Sequence, residues 1–168
     1  ELADAWLPAF YTAEAARAVW GKALDAGNAR RDPNRKPLEI FAGGGVAIGE
    51  GFEELRNLSR PQIALYVGGM GARQKNFYND IFARSGYEAE ARQIQDLYLA
   101  GEKKAAEAAI PDSYLAKNSL IGPEGFVRER LQALRESGVN ALNVSLLGKT
   151  TAERVQQCER LRKLVDTL

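Results

Sequence analysis

Apolar positions recur along this chain with two different periods, and the switches between them mark its elements. Ala5-Trp6-Leu7-Pro8 is a short apolar run that reads as a buried strand ended by proline. After Thr12, a candidate N-cap, the residues Ala16, Val19, Trp20, Ala23 and Leu24 repeat at helical spacing. That helix stops near Gly27-Asn28, ahead of Asp32-Pro33, and it places Trp20 in the core. Leu38 to Ile48 predicts a second strand, interrupted by Gly43-Gly44-Gly45. Three glycines weaken a strand unless a backbone or a ligand comes close. From Glu50 to Tyr66 the spacing of Phe52, Leu55, Ile63 and Tyr66 is helical, with a kink expected at Pro61.

Gly68, Gly69 and Gly71 then break the helical pattern, with Arg73 and Lys75 just behind them. From Asn76 to Lys117 every periodic stretch is helical. Phe77, Ile81 and Phe82 mark one helix, stopped by Gly86, and Ala91, Ile94, Leu97 and Tyr98 mark another, stopped by Gly101. An alanine-rich piece, Ala105 to Ile110, ends at Pro111. Ser119-Leu120-Ile121 is short and extended, and Pro123 sits at the first position of a helix striped by Val127, Leu131 and Leu134 and closed by Gly138. Ala141 to Leu146 alternates as a strand. Thr150 and Glu153 form a capping box for a last helix, with Val155, Cys158, Leu161 and Val165 expected to face inward.

The order is strand–helix three times, with a helical insertion at about residues 72–118. Such alternation implies parallel strands and right-handed crossovers in one α/β domain. A closed eight-fold α/β barrel needs about 250 residues, so 168 residues give an open sheet or part of a barrel. Glu1-Leu2-Ala3-Asp4 has no helix-start signal and reads as the tail of a helix begun upstream, which favours part of a barrel.

Composition narrows the chemistry. A net charge of +1 gives no general pull toward nucleic acid or an anionic membrane. No apolar run reaches the roughly 20 residues of a membrane helix. The single cysteine, Cys158, forms no internal disulfide, fits a cytoplasmic location and is expected as a small core residue. The chain has no histidine, which removes Ser-His-Asp and Cys-His catalysis and histidine-ligated metals from it.

Leu2-Ala3-Asp4-Ala5-Trp6-Leu7-Pro8 resembles a segment of the bacterial luciferase-like monooxygenase superfamily, with Ala5 where that family usually has glycine. Ala64-Leu65-Tyr66-Val67-Gly68-Gly69-Met70-Gly71 with Asn76-Phe77-Tyr78 is similar to the branch of coenzyme F420-dependent oxidoreductases. So are Ser119-Leu120-Ile121-Gly122-Pro123-Glu124 and Gly138-Val139-Asn140-Ala141-Leu142-Asn143-Val144. The resemblance covers essentially the whole chain. It implies the C-terminal part of a (β/α)8 TIM barrel, about three strand–helix units plus the insertion. It also implies hydride transfer between the deazaflavin coenzyme F420 and a small organic substrate, with FMN-dependent monooxygenation as the alternative cofactor chemistry. No metal is implied, and no catalytic residue carries over, because the family's acid/base candidates lie in the N-terminal half. The expected partners are that N-terminal half and further copies in a homo-oligomer. A non-catalytic half-barrel module is the reading from another class.

Within that frame Phe10 and Tyr11, just past the first strand, either line a substrate pocket or pack the strand–helix corner. Gly68, Gly69 and Gly71 with Arg73 and Lys75 either hold an anionic group of the coenzyme or make a helix end and turn. Asn143 and Ser145 either reach the coenzyme from the last strand or hydrogen-bond a neighbouring strand, the commoner arrangement in a barrel wall.

Overall fold

The computed structural model describes residues 1–168. Strand β1 (Ala5–Trp6) leads through helix α1 (Ala16–Asn28) to the long strand β2 (Glu39–Ile48). A helical insertion follows, comprising α2 (Arg60–Ala64), α3 (Phe77–Phe82), α4 (Glu88–Leu99), α5 (Lys103–Ala108) and α6 (Asp112–Lys117). The chain then returns to the sheet as β3 (Leu120–Gly122), α7 (Glu124–Glu136), β4 (Ala141–Leu146) and α8 (Thr151–Val165). No helix is long and apolar enough to cross a membrane.

All strand pairings are parallel and all involve β2. β1 pairs with its first residues, at Ala5↔Glu39 and Trp6↔Ile40, and β4 runs beside it from Phe41↔Ala141 to Val46↔Leu146. β3 pairs with its end, from Val46↔Leu120 to Ile48↔Gly122. Val46 therefore has β3 on one side and β4 on the other. The sheet is open. The segment read as merely extended, Ser119-Leu120-Ile121, contributes a fourth strand one residue further on. β1 is only two residues long, and Pro8, with no N–H to give a ladder, follows soon after.

One face of the sheet carries the main core. Ala42, Val46 and Ile48 of β2 are buried with Leu120 against Val127, Leu131 and Leu134 of α7 and Leu161 and Leu164 of α8. Leu142, Val144 and Leu146 of β4 pack on the same cluster, as their alternation predicts. α1 begins a turn later than Thr12 suggests, and the Thr12 carbonyl, which accepts the N–H groups of Ala15 and Ala16 at 3.2 and 3.0 Å, closes a separate turn that leads into it. Trp20 of α1 is half-buried and meets Trp6 edge-on, with centroids 5.2 Å apart.

The last helix corrects an expectation. Thr150 caps it, accepting from the Glu153 N–H, but its inward residues are Gln157, Leu161 and Leu164. Val155, Cys158 and Val165 are exposed. The Gln157 side chain sets the rotation: its Oε1 takes the Ile48 N–H at 2.6 Å, and Arg160 donates to the Ile48 carbonyl at 2.6 Å. An apolar stripe cannot reveal a helix that turns a glutamine inward to satisfy a strand's backbone.

The insertion has a core of its own, built from Ile63, Val67, Phe82, Tyr87, Ala91, Ile94, Ala106, Ile110, Tyr114 and Leu115 with Ala64. A 3-10 segment (Glu53–Ser59), α2 and a π-helical turn (Leu65–Gly69) run end to end into it. Pro61 lies in the first turn of α2, where its missing N–H costs nothing. Asn76 joins this helix end to the next start. Its Oδ1 accepts the N–H groups of Tyr78 and Asn79, while its Nδ2 donates to the carbonyls of Tyr66 and Val67 at 3.0 and 2.9 Å. The insertion docks on α1 through Ile81, which is buried with Ala15 and Val19, and through Arg84, which donates to the Val19 carbonyl.

Two stability predictions follow from this packing. Asn76→Ala removes a cap and strips a donor from buried helix-end carbonyls, so it should lower urea-unfolding stability by about 2–3 kcal/mol. Tyr114→Phe should leave stability unchanged or raise it by up to about 1 kcal/mol. The Tyr114 hydroxyl is fully buried with no hydrogen-bond partner, and burial, with the neighbouring Tyr87, pushes its phenol pKa up. A clear loss of stability in that variant would show that the hydroxyl has found a partner.

Candidate functional site

On the sheet face turned away from α7 and α8, β2 beyond Glu39 carries only two side chains, Phe41 and the buried Ala47, with two glycines between them. Phe41, Gly43 and Gly45 lie on it, in register with Ala141, Asn143 and Ser145 of β4. The Asn143 and Ser145 side chains are exposed, not buried between strands as a closed wall would have them. The glycines are required by close backbone approach. A Cβ on Gly44, whose φ is +118°, would stand 2.6 Å from the Asn118 carbonyl oxygen, and one on Gly43 would stand 2.5 Å from that of Asn143. At Gly45 a Cβ would instead crowd the ends of Ile121 and Leu147. The result is a flat strip of backbone bordered by a carboxamide and a hydroxyl, both able to donate and accept hydrogen bonds.

Phe10 and Tyr11 diverge. Tyr11 turns into the main core, where its hydroxyl meets Ser137 Oγ at 3.0 Å and the Ser137 carbonyl at 3.1 Å. Burial raises its pKa, only partly offset by the Ser137 hydrogen bond. Phe10 turns toward the insertion and has φ +52°, an unusual value for a residue with a side chain. Its ring meets Tyr66 and Tyr78 edge-on, at 5.9 and 5.7 Å, and those two tyrosines are 4.7 Å apart. This half-buried aromatic triangle joins the loop after β1 to both ends of the Tyr66–Tyr78 segment. Sequence spacing singled out Phe10 but not Tyr66 and Tyr78, because the pairing spans more than fifty residues.

The glycine cluster is first a packing device. Cβ atoms on Gly68 and Gly69 would each lie 2.4 Å from the Tyr98 side chain, so the pair lets α4 press on the π-helical turn. Gly71, at φ +134°, turns the chain out of it, and its N–H goes to the Gly69 carbonyl. Beyond the turn, Arg73 pairs with Asp96 of α4, both half exposed. Arg73 and Lys75 face a polar cleft of about 570 Å³ between the 73–77 loop, α3 and α4.

A second charged group binds the elements around β3. Arg130 of α7, nearly fully buried, grips the Glu14 carboxylate with both terminal nitrogens and also donates to the Lys117 carbonyl at 3.1 Å. Burial alone would raise the Glu14 pKa, but the Arg130 hydrogen bonds and charge, with Lys117, outweigh it and hold the carboxyl below its usual range. Arg56 likewise donates to the Ile121 carbonyl at 3.0 Å and lies over the Phe126 ring. These cations fix the returning strand rather than face the bare strip.

Comparison with known proteins agrees with this architecture. The profile of the luciferase-like monooxygenase family matches residues 1–141. A Mycobacterium tuberculosis protein named as a coenzyme F420-dependent oxidoreductase is 32% identical over 167 residues, 98% of this chain and 46% of that protein. The coenzyme F420-dependent tetrahydromethanopterin reductase of Methanopyrus kandleri has a similar fold, with a TM-score of 0.61 at 16% identity, over 94% of this chain and 44% of that one. The chain thus spans about half the length of the relatives it matches. With a family profile aligned to most of its residues, it belongs to the luciferase-like monooxygenase family.

Proposed function

We propose that this chain forms part of a coenzyme F420-dependent oxidoreductase that moves hydride between the deazaflavin and a small organic substrate. The bare strip on β2 carries this reading. A planar heteroaromatic ring needs backbone-level clearance on one face and hydrogen-bonding groups at its rim. Gly43 gives the first, next to Gly45, over which the ends of Ile121 and Leu147 close the strip, and the exposed Asn143 and Ser145 side chains give the second. The residues therefore fit the group that the relatives' names indicate.

When bound, the coenzyme supplies the hydride chemistry at C5, and the protein supplies position, electrostatics and exclusion of water. Asn143 and Ser145 would orient the ring by its polar edge. Phe10, with Tyr66 and Tyr78, would wall an apolar or aromatic substrate at the end of β1. Arg73 and Lys75 would face the coenzyme's anionic end, and Gly68, Gly69 and Gly71 would shape the turn that presents them. No residue of this chain is assigned the proton transfer. We propose further that the free edge of β4 and the exposed Val155–Cys158–Val165 side of α8 are completed by the preceding half of the same barrel, the enzyme working as a homo-oligomer in the cytoplasm.

Fluorescence titration of the enzyme that contains both halves tests the cofactor. F420 should bind at least tenfold more tightly than FMN, and Asn143→Ala with Ser145→Ala should weaken F420 binding about tenfold, as expected for loss of one or two hydrogen bonds to a bound ring. Tighter binding of FMN would assign the strip to flavin chemistry instead.

A further inference from the structure

The cleft between the 73–77 loop, α3 and α4 is polar, with Phe77 and Ala83 as its apolar lining residues. Three cations border it, Arg73, Lys75 and Arg92, against two carboxylates, Asp80 and Glu88. Those carboxylates have partners: Asp80 with Arg84 at 3.5 Å and Glu88 with Arg92 at 3.3 Å. Arg73 is bridged to Asp96. Lys75 is exposed and is left without a carboxylate of its own, so the cleft has one ammonium group to spare.

The wall formed by α4 holds a stronger pointer. Gln95 lines the cleft, yet it is only 5% exposed, and its Nε2 is buried with no hydrogen-bond partner. Of the other three carboxamides lining the cleft, Gln74 is exposed to solvent and two are committed. Asn76 serves the carbonyls of Tyr66 and Val67, and Asn79 those of Val67 and Ala91. A buried amide donor left unpaired costs about 1–3 kcal/mol, and an acceptor in the cleft would relieve that cost by drawing the Gln95 carboxamide toward it.

We propose that this cleft is an anion site, taking a carboxylate or phosphate group between the Lys75 ammonium, the Arg92 guanidinium and the Gln95 carboxamide. Its volume of about 570 Å³ accommodates a small metabolite or the end of a larger one. The unpartnered Lys75 ammonium, the remaining donors of Arg92 and a buried amide select against cations and apolar groups. The anion has two possible sources, a free small anion or the acidic end of the coenzyme proposed above. Only the second rests on the coenzyme reading.

The test is titration of the chain, without coenzyme, with inorganic phosphate and separately with glutarate, followed by NMR of the Gln95 side-chain NH2. Saturable shifts of that resonance are expected, weakened at least tenfold by Lys75→Ala, whose exposed side chain is not needed for folding. Gln95→Leu should weaken binding while leaving the unfolding midpoint unchanged or higher, an opposition that a purely structural glutamine would not produce. No saturable shift at Gln95, or equal affinity in Lys75→Ala, would overturn the site. With coenzyme F420 added to the enzyme containing both halves, loss of phosphate binding would identify the coenzyme's acidic end as the occupant. Retention would assign a free anion. Failure of F420 to bind at all would defeat the coenzyme reading and leave the phosphate result standing.

Discussion

Every strand of this sheet is placed by hydrogen bonds to the backbone of β2, and that backbone is reachable because its middle carries no side chains. At Gly43 and Gly44 the neighbouring carbonyls of Asn143 and Asn118 come closer than any Cβ allows. Both ends of the strand are held by side-chain carboxamides. Asn140 Oδ1 takes the Ile40 N–H at 2.8 Å, and Gln157 Oε1 takes that of Ile48. A strand fixed so completely from its edges can leave the middle of one face, around Gly43, to something other than packing. Its opposite face holds α7 and α8 through Val46 and Ile48, both with no exposure at all.

The same division of labour appears in the insertion. Its core is separate from that of the sheet, and its joint with the sheet layer includes Phe10, Ile81, Arg84, Asn118 on the Tyr11 carbonyl, Arg56 on the Ile121 carbonyl and Arg130 on the Lys117 carbonyl. The long loop after β1 therefore touches both cores, with Tyr11 in one and Phe10 at the border of the other. The positive φ of Phe10 is the backbone's means of sending two successive aromatic side chains in different directions. Pocket wall and core anchor thus sit side by side in the chain, and a dipeptide that reads as one feature performs two tasks.

Much of the fold was legible because hydrophobic burial imposes its period locally. The α7 stripe, the alternation of β4, the Thr150 cap and the all-helical insertion are statements about residues within a turn or two of each other. What escaped was set by partners distant in sequence. The inward turn of Gln157 depends on Ile48, the glycine pair on Tyr98, and the aromatic triangle on Phe10. Polar residues that serve a remote backbone leave no periodic trace. Of the site, the glycine strip and Asn143 and Ser145 were visible as candidates. The burial of Gln95 was not, since a glutamine within a helix reads as surface until its neighbours are known.

The contact between Gly68, Gly69 and Tyr98 also constrains how this sequence can drift. A side chain at either glycine has no room while Tyr98 is in place, and shrinking Tyr98 first opens a void over a bare helix. Neither position can change usefully before the other. Substitutions at 68, 69 and 98 are therefore coupled, so that the stability effect of changing one depends on what stands at the others.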